Sequence, residues 1–186
     1  MTGNAREAIL EAARLTAQAH GYGGLNFRAI GAEVGIKAAS IYHHFPSKAD
    51  LGAAVAKRYW ENTAANLEAL AATAGDPVKA LEAYPGLFRQ SLEENNRICL
   101  CSFMGAEYDD LPDTVKTEVQ TFADINVAWL ARMLAAAAIP RAKCETRARA
   151  IFAAVAGAQL MARSHADLSL FDALIDSFRE SGLITT

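Results

Sequence analysis

The residues richest in chemistry stand together near the N-terminal third. In "GIKAASIYHHFPSKADL", from Gly35 to Leu51, Tyr42, His43, His44 and Phe45 form one run, with Ser40 before it and Lys48 after it. An aromatic ring beside two imidazoles, a hydroxyl and an ammonium suits three kinds of chemistry: metal binding, acid–base catalysis, or contact with a large charged partner. Adjacent helical residues diverge by about 100°, so His43 and His44 make a poor chelate unless ligands arrive from elsewhere. Tyr42 can also be a purely packing aromatic. The chain has no nucleophile–base motif, no Walker or Rossmann glycine pattern and no H-E-x-x-H. A small helical enzyme is therefore the remote alternative, and neither metal nor cofactor is expected.

The elements that carry this run follow from composition and periodicity. The chain has 186 residues, 52% apolar and 21% charged. That is enough to bury a core without disulfides, and it marks a globular chain. Alanine is abundant and period-2 alternation is scarce, which favours helix throughout. Three cysteines, Cys99, Cys101 and Cys144, with no secretory leader, argue against a disulfide scaffold. No run approaches a membrane span, and a cytoplasmic location is expected. The net charge of −3 divides into +3 over residues 1–58 and −6 over residues 59–186. A basic N-terminal part on an acidic remainder points to an anionic partner for the first third.

About nine helices are expected. Residues 4–20 carry an apolar stripe, stopped by His20-Gly21. Asn26 caps a helix through Phe27, Ile30 and Val34 that Gly35 ends. A short helix spans Ala38 to His44, closed by Phe45-Pro46. Ser47 and Asp50 form a variant capping box for a helix from Lys48 to about Ala72. Asp76-Pro77 opens a helix over 77–95, kinked at Pro85-Gly86. A loop then leads into a short helix, and further helices occupy 112–138, 142–165 and about 170–181. Ser169 is the expected N-cap of the last and Gly182 its C-cap.

Two short helices joined by a glycine turn, "LNFRAIGAEVGIKAASIYHHF", make a helix-turn-helix. Its second helix would enter the major groove of DNA. Phe27, Ile30, Val34, Ile36, Ile41 and Phe45 are the expected small core. Lys37, Ala38, Ala39, Ser40, Tyr42, His43 and His44 are left facing out. Small residues let the backbone approach the groove, and Lys, Ser, Tyr and His donate to phosphates and base edges. Arg28 and the amides at the start of the first of these helices can meet a phosphate.

On Gly35-Ile36, Ile41-Tyr42-His43-His44-Phe45 and Ser47-Lys48-Ala49-Asp50-Leu51, residues 5–55 resemble the DNA-binding segment of the TetR family of transcriptional regulators. The resemblance implies an all-α chain. Residues 1–50 would be the DNA-binding domain, and residues 51–186 a helical effector-binding and dimerisation domain. It implies DNA contacts at Ser40, Tyr42, His43 and Lys48, with Lys37, Ala38 and Ala39 facing the groove. The family usually has Ser or Thr where Lys37 stands. Lys37 cannot accept the capping bond, a loss of roughly 1 kcal/mol, and it offers a cation to the DNA instead.

The resemblance further implies a homodimeric repressor on a palindromic operator, released by a small-molecule effector. Ala154, Gly157, Ala158, Met161, Phe171, Leu174, Ile175 and Phe178 are the interface candidates; the same stripe would serve an intrachain core. Effector-pocket candidates are Trp60, Tyr84, Phe88, Cys99, Phe103, Met104, Tyr108, Phe122, Trp129 and Met133, all of which are equally fit for core. "CLCSFMGAE" resembles a Cys-Leu-x-x-x-x-x-Ala-Glu segment of several such regulators. In an electrophile-sensing branch of the family the cysteine matching Cys99 is the sensor. A thiol-switched regulator is thus the second reading, with Cys101 too near for an easy disulfide. Asp109, Asp110 and Asp113 read as a solvated helix start.

Overall fold

The computed structural model describes residues 2–184, with side chains from Ala5 onward. In chain order the helices are α1 (Thr2–His20), α2 (Phe27–Val34), α3 (Ala38–His44), α4 (Lys48–Ala74), α5 (Pro77–Ala83), α6 (Gly86–Glu93), α7 (Leu100–Ala106), α8 (Asp113–Ala136), α9 (Arg141–His165) and α10 (Leu168–Glu180). A 3-10 turn, Tyr108–Asp110, lies between α7 and α8. No strand occurs among the described residues. With α5 and α6 taken as one helix broken at Pro85, these are the nine expected from sequence. The break is sharper than a kink, because proline has no N–H to donate back into the preceding turn. α6 stops at Glu93 rather than continuing to 95, since Asn95 and Asn96 take left-handed φ values of 62° and 55°.

Two compact units divide the chain. The first is Met1–Glu61 with Leu100–Phe122, and the second is Asn62–Cys99 with Ala123–Thr186. The first contains α1, α2, α3 and α7 with parts of α4 and α8. Its core holds Ile9, Leu25, Ile30, Ile41, Phe45, Leu51, Leu100, Met104 and Val115. The second contains α5, α6, α9 and α10, and α10 packs on both α9 and α6. Leu81, Tyr84, Leu130, Leu134, Ile151, Val155 and Phe171 fill its core. No helix among the described residues is long and apolar enough to cross a membrane.

Caps set the helix starts. The Asn26 side chain accepts from the amides of Arg28 and Ala29 at 2.9 and 3.1 Å. Asp76 does the same for Val78 and Lys79, with Pro77 in the first turn. Ser47 Oγ accepts the Asp50 amide at 3.1 Å and donates to the Asp50 carboxylate at 2.6 Å. At α10 the cap is Asp167, not Ser169. Its carboxylate accepts the Ser169 and Leu170 amides, and the Ser169 hydroxyl donates to it at 2.6 Å. That hydroxyl bond, with the two amides, draws the Asp167 carboxyl below the usual range. Gly182 takes φ 75° just beyond α10.

In the second unit Arg89 reaches from α6 to Asp172 on α10 with paired bonds of 2.7 and 2.9 Å, and it also meets Glu93. The guanidinium holds the Asp172 carboxyl below its ordinary pKa. Both side chains are substantially exposed, so solvent screens the pair.

Replacing Asn26 by Ala should remove about 1 kcal/mol of stability. Thermal unfolding of the variant, followed by circular dichroism, should show a midpoint lower by about 2–4 °C.

Candidate nucleic-acid interface

α2 and α3 are placed by a turn that glycine makes compact. Gly35 ends α2 with φ 76°, a conformation that side chains rarely adopt. Ile36 N–H then donates to Gly31 O at 2.8 Å. A Cβ at Gly31 would stand 2.8 Å from Ile36 O, so the close approach of the two helices needs glycine there. α3 is anchored by Ile41, which is fully buried, and by Phe45 just beyond its end. The Arg6 guanidinium lies 5.2 Å from the Phe45 ring centroid. Phe27 and Ile30 complete this core, whereas Val34 and Ile36, also expected in it, are half-buried.

The opposite face of α3 is open. Lys37, Ala39, Ser40, Tyr42 and His43 are exposed, and Ala38 is half-buried. Tyr42 is 56% exposed, yet its ring rests on Phe27 with centroids 4.6 Å apart. It packs on one side and presents its hydroxyl on the other, so it is not a buried core residue. His43 and His44 stand edge to face at 5.6 Å, and no cluster of metal-ligating side chains occurs among the described residues. Lys37 occupies the N-cap position of α3 and makes no side-chain capping bond. Arg28 is exposed on α2. The start of α2 offers a phosphate less than expected, because Asn26 already takes the amides of Arg28 and Ala29. Lys48, the first residue of α4, donates to Gly23 O at 3.0 Å and lies 4.7 Å from the Tyr22 ring centroid.

Residues 9–55 match the family described as bacterial regulatory proteins, tetR family. A TetR-family transcriptional regulator from Agrobacterium tumefaciens is 30% identical, with a TM-score of 0.90 over 99% of each chain. The chain belongs to the TetR family. It is a DNA-binding transcriptional regulator, not an enzyme. A TetR regulator from Legionella pneumophila is 25% identical, with a TM-score of 0.89 over 94% of this chain and 95% of that one. NemR from E. coli, solved in its reduced form, shares the fold at 20% identity, with a TM-score of 0.82 over 95% and 96% of the two chains. No curated protein matches the chain.

In this TetR-family chain the pocket candidates fall into two groups. Tyr84, Phe88, Cys99, Trp129 and Met133 belong to the second unit, and Trp60, Phe103, Met104, Tyr108 and Phe122 to the first. Tyr84 is fully buried, stacked on Trp129 at 5.8 Å and tilted against Phe88 at 5.5 Å. Burial, and secondarily Cys99, pushes the Tyr84 phenol well up, so the hydroxyl stays neutral and donates to Asn126 Oδ1 at 2.9 Å. Trp129 Nε1 is buried with no hydrogen-bond partner. In the first unit, Trp60 donates to Glu118 at 2.7 Å, Tyr108 is half exposed beneath the Lys116 ammonium, and Met104 is core.

All three cysteines are buried. Cys99 precedes α7, and its amide is held by Gln159 Oε1 at 2.9 Å. Among the interface candidates, Ala158, Phe171 and Ile175 are buried. Gly157 and Met161 face out, and Ala154, Leu174 and Phe178 are half-buried. Leu160, which the sequence reading does not single out, is 58% exposed beside Met161 at 49%.

Lys37→Ser should supply the missing cap of α3 and raise stability by about 1 kcal/mol, measured by chemical unfolding. The same variant should change base preference when selected against randomised operators, because it removes a cation from the exposed start of α3.

Proposed function

We propose that this regulator is a homodimeric repressor that works in the cytoplasm. It binds a palindromic operator and leaves it when a small molecule occupies the helical region after residue 50. Residues 1–50 are the DNA-binding part, and residues 51–186 serve effector binding and dimerisation. The reading rests on α3, whose apolar side is sunk in the core while Lys37, Ala39, Ser40, Tyr42 and His43 stand in solvent. Ser40 and Lys37 read base edges, and Ala38 and Ala39 let the helix sit deep. Tyr42, His43, Lys48 and Arg28 meet the backbone. A two-fold pair of such helices meets successive major grooves about 34–36 Å apart. Exposed Leu160 and Met161 on α9, with Gly157 beside them, supply an apolar surface for the second copy.

The effector site centres on Tyr84, Phe88 and Trp129. Its aromatic walls suit a flat apolar molecule, and the orphan Trp129 N–H suits one that carries an acceptor atom. Burial of Cys99 at 2% and Cys101 at 3% exposure favours a reversible ligand over a thiol switch, since reactive thiols are accessible ones.

Gel-shift titration of the protein with its own upstream DNA tests the first reading. The affinity should fall steeply with salt, as the release of phosphate counterions demands. Tyr42→Phe and Arg28→Ala should weaken binding on every sequence alike, whereas Ser40→Ala should relax the preference at one base step. Binding that is insensitive to all three substitutions would sink the assignment of this face. In the thiol test, a mild electrophile should leave the complex intact, and Cys99→Ser should respond to effector like the natural chain. Release by the electrophile, abolished in Cys99→Ser, would replace the ligand reading with the redox one.

A further inference from the structure

Glu107, the last residue of the Cys-Leu-x-x-x-x-x-Ala-Glu segment, faces the loop between α1 and α2. Tyr22 N–H donates to its Oε2 at 2.6 Å, and Gly23 N–H donates to its Oε1 at 3.0 Å. The neighbouring amides of Gly21, Gly24 and Leu25 donate to backbone carbonyls instead. One carboxylate thus takes two consecutive loop amides. The loop is shaped for it: a Cβ at Gly21, whose φ is +68°, would lie 2.3 Å from Oε2, and one at Gly23 would lie 3.2 Å from Oε1.

The same loop is gripped from its other side. Gly23 O accepts the Lys48 ammonium, which also sits over the Tyr22 ring. That ring rests on Gly52 of α4, where a Cβ would stand 2.7 Å from Tyr22 Cε2 and 3.3 Å from a Val115 methyl of α8. Gly23 therefore has a carboxylate on its N–H and an ammonium on its C=O. Three residues further on, Asn26 caps α2.

We propose that Glu107 is the positioning residue of the DNA-binding function: its carboxylate clasps the α1–α2 loop and thereby fixes α2 and α3 in the geometry that meets the operator. This rests on the operator-binding reading of α3. Charge-assisted bonds to backbone amides are the strong ones. Both share one carboxylate, so a shift of the end of α7 by about 1 Å takes both beyond hydrogen-bond range together. The loop then loses its anchor in one step. By reciprocity, DNA that orders α2 and α3 tightens the clasp.

Glu107→Gln keeps the size but sets an NH2 group against an amide N–H. Glu107→Asp keeps the charge but is one methylene short. Operator affinity should fall about tenfold in the first and by less in the second, with helicity by circular dichroism unchanged. Amide exchange supplies the second readout. In the natural chain the Tyr22 and Gly23 amides should exchange slower than an open loop. In Glu107→Gln both should speed up, and the amide resonances of α3 should move. Open-loop exchange at Tyr22 and Gly23 in the natural chain would overturn the clasp. So would a Glu107→Gln chain with both amides loosened, α3 resonances unmoved and operator affinity intact. A natural chain that binds no DNA would sink the operator reading alone, and the exchange and α3 resonances would still decide the clasp.

Discussion

A helix of seven residues does not hold itself, because nucleating one costs more than so few hydrogen bonds return. The function of this chain depends on α3 nonetheless. Its existence and its orientation are therefore imposed from outside, by the burial of Ile41 and Phe45 and by the turn at Gly35 and Gly31. Once Ile41 points into the core, the helical period leaves Ala39, Ser40, Tyr42 and His43 no choice but solvent. The surface proposed to read DNA is in this sense the remainder of a packing problem. The carboxylate of Glu107 and the ammonium of Lys48 act one step further back, on the loop that delivers α2 to this packing.

The parts of the fold legible in the sequence are those written by local chemistry. Asn26, Asp76 and Ser47 announce helix starts because a short polar side chain can reach only the amides next to it. Gly35 and Phe45-Pro46 announce ends for equally local reasons. The helix-turn-helix was readable because its core and its outward face alternate within some twenty residues, so the pattern in "FRAIGAEVGIKAASIYHHF" contains both. Ser169 misled for an instructive reason: Asp167 stands two residues earlier, can cap equally well, and takes the Ser169 hydroxyl as a further donor. At Pro85 the break was visible, but its effect on the length of α6 depended on the left-handed Asn95 and Asn96.

What stayed illegible is long-range. Glu107 meets Tyr22 across 85 residues of chain, and nothing in the spacing of either segment announces that meeting; the glycines at 21 and 23 read only as a helix stop. The same limit governs the apolar stripes of α9 and α10. Phe171, Ile175 and Ala158 look no different in sequence from Leu160 and Met161, yet the first three are core and the other two are surface. A helical stripe records that a face is apolar, not which neighbour covers it. Tyr84, Trp129 and Met104 are ambiguous in the same way, since the walls of a ligand site and the walls of a core have the same composition.

Lys48 carries a consequence of its own. A free lysine on a protein surface samples many rotamers and surrenders that freedom when it grips an anion. Here the ammonium is already tethered to a carbonyl and laid over a ring. Any phosphate that meets it meets a charge whose side chain was immobilised when the protein folded, so the ordering is settled before the encounter. Such a cation serves less as a searching arm than as a fixed stud, and it favours a partner whose phosphates are spaced to fit.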